Sequence, residues 1–127
     1  MINTIILVFV GGALGAIIRE LLMLGTPHLA DSFPLDIFVA NIAAAFLLGL
    51  AAALHARKVI SDDTNTLVGT GVMGGLSTFS SFVYGAVVLM GASTQSAMVA
   101  IVYVLASLVI GYGAVVLGMK CGAGRRS

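Results

Sequence analysis

Apolar residues fill four long blocks of this chain, and short polar stretches separate them. The blocks run about Ile5–Leu24, Ile37–Leu54, Leu67–Met90 and Ala97–Met119. Each is close to the roughly 20 residues that a helix needs to cross hydrocarbon. The pattern predicts an all-α integral membrane protein with transmembrane helices at about 3–24, 36–56, 65–90 and 95–119, in one domain of residues 1–127. The connections Gly25–Asp36, His55–Thr66 and Gly91–Ser96 leave nothing for a soluble domain. The first block is not read as a cleaved signal peptide. No basic stretch precedes it, it is too long for the apolar part of one, and no small-x-small cleavage site ends it.

Composition agrees. The chain is 60% hydrophobic and 9% charged, with mean hydropathy +1.15, whereas a soluble domain carries about 25% charged residues. A net charge of +1 and the lack of a basic face exclude a nucleic-acid binder. The single cysteine, Cys121, excludes an intramolecular disulfide.

Charge also sets an expected orientation. Four spans put both termini and the Arg57-Lys58 loop on one side, with Arg57, Lys58, Lys120, Arg125 and Arg126. The loops of the other side hold no Lys or Arg, and Arg19 lies inside the first span near that end. Asp31 and Asp36 outside, or Asp62 and Asp63 inside, carry little weight. The excess of basic residues predicts that both termini are cytoplasmic.

Small residues pervade the spans. Gly11/Gly15, Ala45/Gly49 and Gly71/Gly75 recur at a spacing of four, which lets helix backbones approach closely. They predict a tightly packed bundle and an oligomer.

Arg19, Glu20 and Asn41 interrupt the first two apolar blocks. Arg19 has three readings: a side chain that snorkels to the interface, a cap on carbonyls of another helix, or a group in direct contact with an ion. Glu20 is a poor partner for it, because adjacent residues on a helix point about 100° apart. Asn41 is either an interhelical hydrogen bond that holds the bundle or a donor facing a pathway.

The most unusual stretch is Gly74-Gly75-Leu76-Ser77-Thr78-Phe79-Ser80-Ser81-Phe82, inside a run without charge from Thr64 to Met119. Glycines and hydroxyls weaken a helix here, and non-helical backbone is tolerated in a bilayer only where it is buried or lines a cavity. Exposed carbonyls are ligands for hard cations. With no carboxylate in the second to fourth apolar blocks, a monovalent cation suits them better than a divalent one. Phe79 and Phe82, three apart, project from one face, and the edge of a phenyl ring is positive. With Ser80, Ser81 and Ser107 they can surround a small anion, although phenylalanines at this spacing also simply pack.

Three motifs carry a family resemblance over essentially the whole chain. They are Gly11-Gly12-x-x-Gly15-Ala16-x-x-Arg19, Asn41, and the run Gly74–Phe82, with Ser107 as a further match. The chain resembles the Fluc/CrcB fluoride channels. The resemblance implies an antiparallel dimer of four-helix subunits with two fluoride pores, the third helix broken near its middle, and passive export of cytoplasmic fluoride across the cell membrane that lowers its toxicity. It implies that Gly74 and Ser77 hold a structural sodium ion through backbone carbonyls. It implies that Phe79, Phe82, Asn41, Ser80, Ser81, Ser107 and Tyr103 line the fluoride pathway, with Arg19 structural or at the pore mouth. Three positions depart from the family pattern: Ile37 where some relatives have a hydroxyl, Tyr103 where others have histidine or serine, and Ser77 for a common threonine.

The charge bias and an antiparallel homodimer pull apart, since one sequence that inserts both ways needs balanced Lys and Arg. The partner is then either a second copy or a paralogous chain of opposite orientation. Two other functions compete with this one. A small multidrug/proton antiporter needs a membrane-embedded carboxylate, and only Glu20 is available. A subunit inactive on its own fits poorly with an intact Phe79/Phe82 pair. No enzyme is read here: His28 and His55 lie at span ends, and no nucleophile–base set, metal cluster or phosphate loop is present.

Overall fold

The computed structural model describes residues 1–25 and 33–124, all helical apart from short connections, with no strand among them. His28, Asp31, Arg125 and Arg126 lie outside the described residues. We number the helices α1, Ile2–Gly25; α2, Leu35–Ala56; α3, residues 62–76; α4, Phe79–Ala92; and α5, Thr94–Ala123. Four stretches are long and apolar enough to cross a membrane: α1, α2, Asp62–Ala92 and α5.

The third stretch begins at Asp62 because Ser61 caps it. The Ser61 hydroxyl accepts from the Thr64 amide at 3.1 Å, satisfying one of the free donors of a helix start. Helix α3 then widens into a π-helix over Thr66–Val72 and returns to α-helix at Met73–Leu76. Helix α5 runs to Ala123, beyond the apolar block that ends at Met119, and Arg57 donates to the Gly122 carbonyl at 2.7 Å. A cation at a helix C-terminus satisfies an orphan carbonyl and complements the helix dipole. Gly124, at φ +73°, ends it.

The helices pack as two close pairs. α1 lies along α3 in the same direction, Gly11 beside Gly71 and Gly15 beside Leu76. A Cβ on Gly11 would fall 2.8 Å from Gly71 Cα, and one on Gly75 2.9 Å from the Ala16 nitrogen. Both Gly11/Gly15 and Gly71/Gly75 are thus spent within one chain. α2 lies along α5 in the same way, where a Cβ on Gly118 would meet the Leu50 nitrogen at 2.9 Å. Helices α4 and α5 form a hairpin through Ser93, whose hydroxyl caps α5 by accepting from the Ser96 amide at 3.1 Å.

The core is correspondingly small-grained. Ala40, Ala44, Ala51, Ala86 and Ala100 are buried with Met73, Leu76, Leu89 and Tyr103. The large side chains of α1, among them Ile5, Phe9, Leu14, Ile17 and Leu21, face outward. That inversion is what a bundle in lipid allows, because tails outside are as apolar as the core.

Candidate functional site

The site grows from a two-residue step between α3 and α4. Helix α3 stops at Leu76. Ser77 (φ −75°, ψ 150°) and Thr78 (φ −143°, ψ 104°) are extended, and α4 starts at Phe79. Thr78 is the N-cap of α4: its hydroxyl oxygen accepts from the Ser81 amide at 3.2 Å. The same hydroxyl donates to Ser81 Oγ at 2.9 Å and lies 3.4 Å from Ser80 Oγ. The Ser81 proton is thereby left free to point elsewhere.

Two other helices brace the step. From α2, Asn41 Oδ1 accepts from the Thr78 amide at 2.8 Å, and Asn41 Nδ2 donates to the Thr78 carbonyl at 3.3 Å. From α1, Arg19 Nη1 donates to the Gly75 carbonyl at 3.2 Å. Of the readings open for Arg19 and Asn41 from the sequence, each makes the interhelical bond. Asn41 keeps a second N–H beyond this pair.

The step faces a groove of about 450 Å³ whose wall includes Asn41, Gly74, Ser77, Thr78, Phe79, Phe82 and Ser107. Phe79 is 78% exposed. The Phe79 and Phe82 ring centroids are 6.1 Å apart, with planes tilted by 32°. Phe82 continues into an aromatic row: Tyr103 at 5.2 Å, then Phe33 edge-on at 5.2 Å, then Phe38 at 5.2 Å. Tyr103 is fully buried, and its hydroxyl and Ser107 Oγ, one turn further along α5, are both buried without a hydrogen-bond partner among the described residues. Orphan hydroxyls of this kind are uncommon in folded proteins and call for an explanation.

The arrangement has an electrical sense. The C-terminal end of α3 offers carbonyls and the negative end of its dipole, whereas the N-terminal end of α4 offers amides and the positive end. A cation is favoured on one side of the step and an anion on the other.

A profile described as "CrcB-like protein, Camphor Resistance (CrcB)" matches residues 6–119. The chain belongs to the CrcB family. It is 57% identical over 122 residues to "Fluoride-specific ion channel FluC 3" of Yersinia pseudotuberculosis serotype I, covering 96% of this chain and 90% of that protein. It is 57% identical over 122 residues to "Fluoride-specific ion channel FluC 2" of Brucella melitensis biotype 1, where it covers 96% of itself but only 45% of the relative's length. It is 42% identical over 126 residues to "Fluoride-specific ion channel FluC" of Agrobacterium fabrum, covering 96% and 97%. Membership of the CrcB family, with four helices able to span, makes the chain a multi-pass membrane protein.

In this CrcB chain the residues singled out from the sequence do not all share one surface. Asn41, Gly74, Ser77, Phe79, Phe82 and Ser107 meet at the groove. Ser80 and Ser81 sit at the Thr78 cap. Tyr103 stands behind Phe82. Arg19 reaches the step from α1 through Gly75. Ile37 lies on the first turn of α2, where its amide donates to Asp36 Oδ1 at 2.8 Å.

Two residues escaped the sequence reading. Thr78 organises the step, and its signal was present: a threonine before an apolar helical run is an N-cap signature. Phe33, which stacks on Tyr103, gave no signal, since it lies in the connection before α2.

Proposed function

We propose that this chain is a subunit of a fluoride-specific channel that lets cytoplasmic fluoride leave the cell passively. The observation that carries this reading is the 57% identity across 90% of the length of a relative named a fluoride-specific ion channel. The residues at the step suit the task. Fluoride is small and strongly hydrated, so a pore must replace its water with several modest donors and still release it. The edges of Phe79 and Phe82, the hydroxyls of Ser80, Ser81, Ser107 and Tyr103, and the spare Asn41 N–H are such donors. The two orphan hydroxyls, Tyr103 and Ser107, support a polar track that runs from the groove past Phe82.

On this reading the extended Ser77–Thr78 step interrupts the third span, and the carbonyls of Gly74 and Ser77 hold a structural sodium ion. Both residues are exposed on the groove, and a hard monovalent cation fits a set of neutral oxygens. Sodium would fix the step without contributing to anion movement.

A groove that presents main-chain carbonyls cannot face lipid, where unpaired main-chain groups cost several kcal/mol each. A second subunit in antiparallel orientation would cover it and supply the matching half of the cation site. Five basic residues on one side against none in the loops of the other favour a partner of opposite insertion rather than an identical copy, with both termini of this chain cytoplasmic. The reading is tested by fluoride efflux from liposomes, with and without a partner chain.

A further inference from the structure

A helix that stops inside hydrocarbon has to place its freed main-chain groups on other partners. In an unbroken helix the Thr78 amide would donate to the Gly74 carbonyl and the Ser81 amide to the Ser77 carbonyl, each four residues back. Here both amides are diverted. The Thr78 amide goes to Asn41 Oδ1 at 2.8 Å, and the Ser81 amide goes to Thr78 Oγ1 at 3.2 Å. Of the two carbonyls between Gly74 and Ser77 in sequence, that of Gly75 is occupied by Arg19 at 3.2 Å. Side chains therefore sort the carbonyls at this helix end. One is filled by a cation from the protein, and the two on either side lose their helix donors to side-chain acceptors.

We infer that Asn41 and Thr78 are positioning residues for a cation site: their side-chain oxygens hold the Thr78 and Ser81 amides away from the Gly74 and Ser77 carbonyls, and so keep those carbonyls available to a hard monovalent cation. The inference rests on the reading that sodium binds these carbonyls. It gives Asn41 a task in addition to offering its spare N–H to the anion. Oδ1 and one Nδ2 N–H are committed to Thr78, and the bond at Oδ1 is the shorter of the two. It also explains why the residue before α4 is a threonine, whose hydroxyl both captures the Ser81 amide and donates to Ser81 Oγ.

The test is the sodium-dependent part of thermal stability. The purified channel, with its partner chain if one is required, is unfolded in sodium chloride and in N-methylglucamine chloride. The wild type is expected to unfold at a higher temperature in sodium. Asn41→Leu keeps the volume but frees the Thr78 amide to return to Gly74, and the sodium shift should be lost. Thr78→Val keeps the branched shape but removes the acceptor for the Ser81 amide, and the shift should shrink, with Thr78→Ser restoring it. If Asn41→Leu does not fold, the Thr78 pair carries the test. A full sodium shift in either folded variant, whatever its absolute unfolding temperature, overturns the inference. No sodium shift in the wild type overturns the sodium reading itself, before any variant is made.

Discussion

The carboxamide of Asn41 grips the peptide unit of Thr78 from 37 residues away, accepting from its amide at 2.8 Å and donating to its carbonyl at 3.3 Å. It stands in for the helical neighbours that Thr78 lacks. Each neutral bond of this kind contributes about 1 kcal/mol, and a buried group left unpaired costs about 1–3 kcal/mol. Asn41→Leu removes two such bonds and is therefore expected to lower the stability of the purified protein by at least about 2 kcal/mol. Chemical or thermal unfolding in detergent checks this.

Arg19 makes a charge-assisted bond to the Gly75 carbonyl, a kind worth about 1.5–3 kcal/mol. Arg19→Met keeps the apolar stem but loses the bond. It should destabilise the protein by about that amount, and Arg19→Lys should recover part of it. Equal stability of Arg19→Met and wild type would show that Arg19 only snorkels.

The α1–α3 contact depends on glycine at specific positions and not at others. A Cβ on Gly15 would fall 2.8 Å from the Leu76 nitrogen, whereas one on Gly12 meets nothing within 4 Å. Gly15→Ala should cost about 1–3 kcal/mol by overpacking. Gly12→Ala should stay within about 0.5 kcal/mol of wild type. The two unfolding curves, side by side, separate close backbone approach from a general glycine requirement.

The four spans and the exceptional run at Gly74–Phe82 were legible in the sequence because hydrophobic length and the clustering of glycine with hydroxyls are local properties. The grip of Asn41 on Thr78 was not. The sequence left Asn41 either a structural bond or a pathway donor, and only the approach of α2 to the step joins residues so far apart. The π-helix at Thr66–Val72 was invisible for a related reason: no residue type marks it, and it shows only as the path α3 takes along α1. Phe33 lies outside every apolar block, so periodicity had nothing to say about its stacking on Tyr103.

The orphan hydroxyls separate stability from conduction. Ser107 Oγ and Tyr103 OH have no partner to lose among the described residues. Ser107→Ala and Tyr103→Phe should leave stability unchanged or slightly raised, because removing an unsatisfied buried polar group costs nothing in hydrogen bonds. Fluoride flux should nonetheless fall in both. Unchanged flux would remove these two residues from the pathway.

Orientation follows from the basic residues. A reporter fused after residue 127 should signal from the cytoplasmic face alone when this chain is expressed by itself. Equal signals from both faces would favour a homodimer that inserts both ways. Adding Lys to the Gly91–Ser96 connection should then shift the distribution in the single-orientation case.

The most direct measurement is fluoride efflux from liposomes holding the purified chain, alone and with a partner chain of opposite orientation. Fluoride should leave while chloride is retained, and Phe79→Ile or Phe82→Ile should cut the fluoride flux sharply. Rapid chloride efflux, or fluoride efflux untouched by both substitutions, would contradict the account.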